Sequence, residues 1–268
     1  MIHSSPFHNL DVSLIDQLIF HPRPDFSPSP PPGAEDRLFS LAPGVEIGAR
    51  FYLTDPKNTD LLFFHGNGEI AADYDDLGPC FNRWGINLLV VDYRGYGRST
   101  GTPSVSTLLP DALEVFDRVD AWRRENRRTG PFLVMGRSLG SAPAIEIARA
   151  RRERIAALVL DSAFAHSLPL LELLGIPVQA LGIREEDGFR NLEKIAFASK
   201  PTLLIAGSRD ELIPPSESET LLQQSGAHRK ELVLVPGAGH NDIFTRCGEG
   251  YFDLVARFIK PLTRKQKK

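Results

Sequence analysis

Residues 132–140 read Phe132-Leu133-Val134-Met135-Gly136-Arg137-Ser138-Leu139-Gly140, an apolar run ending in Gly-x-Ser-x-Gly and leading into a helical stretch, Leu139–Ala150. A strand, a sharp turn and a helix in that order expose the serine hydroxyl at the top of a sheet. Small residues at 136 and 140 let neighbouring backbone come close. The free N–H groups at the helix start favour negative charge beside the serine. A glycine turn capped by a serine would look the same in isolation, so partners elsewhere in the chain must decide.

A serine hydroxyl is a poor nucleophile unless a base takes its proton, and that base must be oriented by a third group. Gly207-Ser208-Arg209-Asp210 follows the apolar run Thr202–Ala206, and Gly237-Ala238-Gly239-His240 follows Glu231–Val235. Each puts a polar side chain at the C-terminal end of a strand. The chain order Ser138, Asp210, His240 differs from the other two common triad orders. Ser138 is therefore assigned as nucleophile, His240 as general base and Asp210 as the orienting acid. Asp161, after Ile155–Leu160, is the competing acid; Asp210 is preferred because Asp210-Glu211-Leu212-Ile213-Pro214 makes a loop-to-helix entry. Asp242 reads as an N-cap for the last helix.

A tetrahedral intermediate needs N–H donors at its oxyanion, each worth about 3 kcal/mol of barrier. One is the backbone of Leu139. The second is expected from His65-Gly66-Asn67-Gly68-Glu69, where Gly66 lets the chain turn inward and the Asn67 N–H becomes the donor. His65 reads as structural, and Asp92-Tyr93-Arg94-Gly95-Tyr96-Gly97-Arg98-Ser99 as scaffold.

Outward from the serine, short apolar runs at Leu61–Phe64, Asn87–Val91, Phe132–Met135, Ile155–Leu160, Thr202–Ala206 and Glu231–Val235 alternate with helix-length segments. Such runs fit parallel strands covered on both faces. Arg37–Ala42 and Val45–Leu53, parted by Pro43-Gly44, precede them as an antiparallel hairpin with one buried face. Helical spacing recurs at Tyr74–Trp84 and Leu109–Val119; Pro214-Pro215 suits a helix start, and Ile243–Ile259 closes the chain as a helix. Residues 163–200 hold no clear single helix and read as a small cap insertion over the sheet edge. Its Phe164, Leu168 and Leu171, with Gly66 and Arg137, are candidates to line a substrate pocket; core packing of the cap is the alternative. Arg137 either meets an anionic substrate or pairs with a nearby acid.

Residues 22–33 contain six prolines and one glycine, a linker or a wrapped extension. Before them Leu10, Leu14, Ile15, Leu18 and Ile19 keep helical spacing, with acidic rather than basic polar positions, which favours packing on the domain over membrane contact. The divisions expected are 1–36 as N-terminal extension, 37–262 as the main domain and 263–268 as a basic tail. Met1–Ser4 lacks the start of a signal peptide, and no segment reaches the ~18 apolar residues of a membrane span. A formal charge of −3 in 268 residues argues against a nucleic-acid partner. The basic runs Arg123–Arg128 and Arg149–Arg154 read as solvated helix ends. Cys80 and Cys247 are too few for a disulfide framework or a zinc site and fit reduced cytoplasmic thiols.

From about residue 37 to 262 the chain resembles the α/β-hydrolase superfamily, within it the nearly lidless branch of abhydrolase-domain depalmitoylases and their bacterial relatives. His65-Gly66-Asn67-Gly68, Asp92–Gly97, Gly136–Gly140 and Gly237-Ala238-Gly239-His240-Asn241-Asp242 carry the resemblance. It implies an eight-stranded, mostly parallel sheet with an antiparallel N-terminal hairpin and helices on both faces. It also implies hydrolysis of a small-molecule carboxylic ester or thioester without cofactor or metal. A peptidase or amidase with the same triad, and a binding protein that keeps the fold without turnover, remain alternatives.

Overall fold

The computed structural model describes residues 10, 13–27 and 29–264. Strands β1 (Ala34–Ala42) and β2 (Val45–Tyr52) pair antiparallel around Pro43-Gly44, and β2 then pairs antiparallel with β4 (Ile86–Val91). All later pairings are parallel. They join β3 (Thr59–Phe64), β5 (Phe132–Arg137), β6 (Ala157–Asp161), β7 (Thr202–Gly207) and β8 (Lys230–Val235) into one sheet of order β1-β2-β4-β3-β5-β6-β7-β8. The chain moves outward from β3 to β4 and crosses back to β5. Strand order thus reverses between β3 and β5, so the loops leaving these two strands diverge and open a crevice at their C-terminal ends.

Strands β3 to β7 are buried throughout, as both covered faces require. Their alternate residues feed two cores. On one side Leu62, Phe64, Leu89, Val134, Leu158 and Leu204 pack with α3 (Val105–Glu125) and α4 (Ser141–Ala150). On the other, Leu61, Phe63, Leu88, Leu133, Val159 and Leu203 pack with α2 (Gly78–Arg83) and α9 (Glu249–Arg264). The expectation of one buried face for the hairpin needs correction. Arg50 and Tyr52 on the supposed polar face are also buried, because Arg50 is caged by Asp25, Asp36 and Asp75 and the Tyr52 hydroxyl bonds Asp75.

The proline-rich stretch wraps. Helix α1 (Ser13–Ile19) buries Ile15 and Ile19 in the α3-side core, together with Leu10 and Phe20, while Leu14 and Leu18 stay on the outside. Asp25 within the stretch reaches both Arg50 and Arg98. Met1–Ser4, the basis for expecting no signal peptide, lies outside the described residues, as does 265–268 of the basic tail; Thr263 belongs to α9.

Two helix expectations also change. The single closing helix is broken at Gly248, whose φ of +51° ends α8 (Ile243–Cys247) before α9 begins. The stretch after Ser138 starts as a 3₁₀ turn over Ser138–Gly140 before α4. The basic runs divide: Arg124, Arg127, Arg149 and Arg152 are exposed, as solvated helix ends are, whereas Arg123 and Arg128 share the buried Asp60, and the half-buried Arg151 and Arg154 share Asp117. No described helix is long and apolar enough to cross a membrane.

Candidate active site

Ser138 stands at the end of β5 with φ +51°, a left-handed conformation that costs a non-glycine residue about 1–3 kcal/mol. The turn is that sharp because α4 begins almost at once and lies across the strand. A Cβ on Gly136 would sit 2.0 Å from the Gly140 carbonyl oxygen, and one on Gly140 would sit 2.0 Å from that of Phe64. Only glycine fits either position, which is the physical content of the motif.

The three residues assigned from sequence meet at this edge. His240 Nε2 is 3.0 Å from Ser138 Oγ, and His240 Nδ1 is 2.8 Å from Asp210 Oδ2. A carboxylate only accepts, so the ring donates from Nδ1 and keeps Nε2 free to accept from the serine. Asp210 is itself fixed, its Oδ1 accepting from the backbone of Leu212 at 3.0 Å and Ile213 at 2.8 Å. These N–H groups belong to the loop entering α7 (Pro215–Gln224), the feature that favoured Asp210.

Asp161 does not reach the histidine. It is fully buried, with Tyr251 donating to it at 2.7 Å and Ser162 at 3.1 Å. Burial pushes its carboxyl pKa upward, with Arg137 pulling the other way. Asp242 takes the N-cap position of α8, yet its side chain accepts from the Gly239 N–H at 2.6 Å and pairs with Arg246, closing the turn that carries His240.

Arg137, for which pairing with a nearby acid is one of the two readings, and Gly66, a candidate for the pocket lining, both take part in contacts within the protein. The Arg137 side chain is nearly buried, pairs with Glu69, and donates to the His240 carbonyl at 2.8 Å and to Asn241 Oδ1 at 3.0 Å. Burial works against its charge, but Glu69 and Asp161 outweigh it and raise the pKa. Glu69 also accepts from the Gly66 N–H at 2.7 Å and the Tyr74 hydroxyl at 2.6 Å. One ion pair therefore ties the loop after β3 to the histidine loop, across the nucleophile turn. A Cβ at 66 would stand 2.6 Å from Arg137 Nη1, so a larger residue there would press on this ion pair. Neither Glu69 nor Asn241 was singled out from sequence; a buried arginine beside the nucleophile was the signal that an internal anion must exist.

The cap residues divide likewise. Phe164 and Leu171 are buried in the α3-side core, Phe164 edge-on to Phe189 at 5.9 Å, and Leu168 packs partly buried against them. These contacts favour the core-packing alternative for Phe164, Leu168 and Leu171. A small cavity beside Phe20, lined by apolar residues such as Ile47 and Phe64 and by polar ones such as Asp92 and Thr107, includes none of Ser138, Asp210 and His240.

His65 is buried as expected, its Nδ1 donating to the Gly66 carbonyl at 2.8 Å, with Nε2 3.3 Å from Asp92 but not aligned for a hydrogen bond. Tyr93 donates to the His65 carbonyl at 2.6 Å, and Arg94 pairs with Asp111, so the 92–99 loop is scaffold. Leu139 follows Ser138 in the turn after β5, and Asn67 lies in the loop after β3. Among the described residues, neither backbone N–H donates a bond to another part of the fold. Among the described residues, no cluster of three or more His, Cys, Asp or Glu is arranged to hold a metal ion.

Comparisons with known proteins bear on the family and the fold. The serine aminopeptidase family, S33, matches residues 55–181. An uncharacterized protein of Mycobacterium tuberculosis is 31% identical over 232 residues, 85% of this chain and 80% of its own length. The α/β-hydrolase domain-containing protein WAV2 of Arabidopsis thaliana is 25% identical over 252 residues, 87% of this chain and 81% of its own. Among solved structures, the Pyrococcus furiosus esterase Pf2001 superposes with a TM-score of 0.69 at 19% identity, covering 91% of this chain and 98% of that one.

Proposed function

We propose, from the premise that this chain belongs to the α/β-hydrolase superfamily, that it is a serine hydrolase cleaving a carboxylic ester or thioester through an acyl-enzyme. The observation that carries the reading is the unbroken relay from Asp210 through His240 to Ser138, with contacts of 2.8 and 3.0 Å. His240 Nε2 takes the proton as Ser138 Oγ attacks the carbonyl carbon. Asp210 stabilises the imidazolium without becoming protonated. The Leu139 and Asn67 N–H groups hold the oxyanion. Collapse of the tetrahedral intermediate expels the alcohol or thiol, which leaves with the proton from His240. A water molecule then repeats the sequence on the acyl-serine and releases the acid. These steps call on no metal or organic cofactor.

The unpaired thiols of Cys80 and Cys247 suit a reducing compartment, and we assign the protein to the cytoplasm on that ground. A second reading, peptidase or amidase, draws support from the serine aminopeptidase description of the matched family. Fluorophosphonate labelling tests the enzyme reading: wild type should label at Ser138 and Ser138→Ala should not. Wild-type protein that stays unlabelled leaves the non-catalytic binding protein in its place. A chain-length series of p-nitrophenyl esters and acyl thioesters, run beside aminoacyl p-nitroanilides, then decides ester against amide.

A further inference from the structure

We propose that the N-terminal strap, Ile19–Arg23, is a positioning element of the oxyanion hole, acting through the side chain of Asn67. The inference rests on the serine-hydrolase reading and deepens it. The loop after β3 carries Asn67 between Gly66 and Gly68, the latter at φ +74°, so its own backbone is poorly restrained. What restrains it comes from some 46 residues earlier. Asn67 Oδ1 accepts from the His21 N–H at 3.1 Å and from the Tyr96 hydroxyl at 2.7 Å. Asn67 Nδ2 donates to the Ile19 carbonyl at 2.6 Å and to His21 Nδ1 at 2.8 Å.

A primary amide has two acceptor and two donor positions, and all four are used here, three by the strap and one by Tyr96. Tyr96 is itself held, since the His21 N–H lies 2.8 Å from its oxygen. Arg23 completes the clasp by donating to the Gly68 carbonyl at 2.7 Å and pairing with Asp73. The strap is in turn fixed to the body. Phe20 is buried, the Arg23 carbonyl accepts from Gly97 at 2.8 Å, and the Asp25 N–H returns to Gly97 at 3.0 Å.

No atom of the strap needs to touch the substrate. Its contribution is to fix the peptide plane whose N–H meets the developing charge, because a donor about 1 Å out of place costs up to ~10²-fold in rate. A loop held this way also owes its geometry to a segment that sequence reading treats as an appendage.

The test is kinetic. Asn67→Ala keeps the backbone N–H and removes all four side-chain bonds. It should lower kcat on p-nitrophenyl butyrate by roughly tenfold to a hundredfold with KM within about twofold. Affinity for a trifluoromethyl ketone, whose adduct carries an oxyanion, should fall by the same factor as kcat/KM. A purely structural role for Asn67 would lower melting temperature without moving that affinity. If Asn67→Ala fails to fold, Tyr96→Phe decides, since it deletes one hydroxyl and should reduce both quantities together by about threefold. A folded variant with wild-type kcat and ketone affinity overturns the proposal while leaving the serine hydrolase in place. Wild-type protein without Ser138-dependent turnover overturns both.

Discussion

Strand β3 ends in two different kinds of buried charge. At its start, the fully buried Asp60 accepts from Arg123 at 2.8 Å, from Arg128 at 2.8 Å and from Asn87 at 2.9 Å. The two guanidinium groups lie over Phe132 at 4.1 Å and over Trp122 at 5.5 Å. Past its other end, Glu69 pairs with Arg137, and Arg137 bonds the His240 carbonyl and Asn241. The first cluster ties the end of α3 to the sheet, and its partners, the Gly130 carbonyl among them, all belong to the framework. The second has partners in the loops that carry the chemistry. Two similar ion clusters on one strand should therefore fail differently: one when folding free energy is measured, the other when turnover is.

The largest effect that could break this contrast is at the nucleophile. Ser138→Ala should lower ester turnover by ~10⁴-fold or more, and calorimetry should find little change in melting temperature, because alanine keeps the same Cβ in the same turn and loses only the hydroxyl that meets His240. Next is Asp60→Ala, which leaves two arginines buried without their carboxylate. Denaturant titration should show a loss of about 3–5 kcal/mol, with kcat of the folded fraction within about twofold of wild type. A matching fall in kcat would erase the distinction between the two ends.

Arg137→Met sharpens the comparison from the other side. It releases both the histidine loop and the loop carrying Asn67, and steady-state kinetics should show kcat reduced by about tenfold or more with a smaller change in KM. Retained kcat would return Arg137 to the class of Arg123.

The smallest expected effect is Asp161→Asn. Burial raises the Asp161 carboxyl pKa above its ordinary 3.8, so the folded protein holds that proton more tightly than the unfolded chain. This group favours folding below about pH 4, and the advantage is lost as pH rises through the folded-state pKa. Removing it should flatten the decline in stability above that pH. Denaturant midpoints taken from pH 4 to pH 8 on both proteins would show whether the two slopes differ.

Strands and the nucleophile turn were legible because both depend on short-range pattern. Continuous apolar runs can be satisfied only between two helical layers, and the glycines at 136 and 140 leave room for backbone at 2.0 Å. The closing helix was misread because Ile243, Tyr251, Phe252, Val255 and Ile259 all face one core, so the periodicity passes through the break at Gly248. The burial of Arg50 and Tyr52 was invisible for the converse reason. Alternation marks a polar face, but it does not reveal that three aspartates from other segments will cover it.

By itself the sequence determined the sheet, the nucleophile turn and the two polar side chains leaving β7 and β8, since backbone period and turn chemistry are local properties. The loop-to-helix entry after Asp210 already favours it over Asp161, and the tertiary structure shows where each carboxylate goes. Both follow strands at the same edge, but one carboxylate is claimed by Tyr251 and the other by the ring of His240. Only the tertiary structure turned residues 19–23 from an extension into a support for Asn67 and set Arg137 against Glu69. Such pairings join groups tens of residues apart, and which polar atoms meet is fixed when loops are packed against one another.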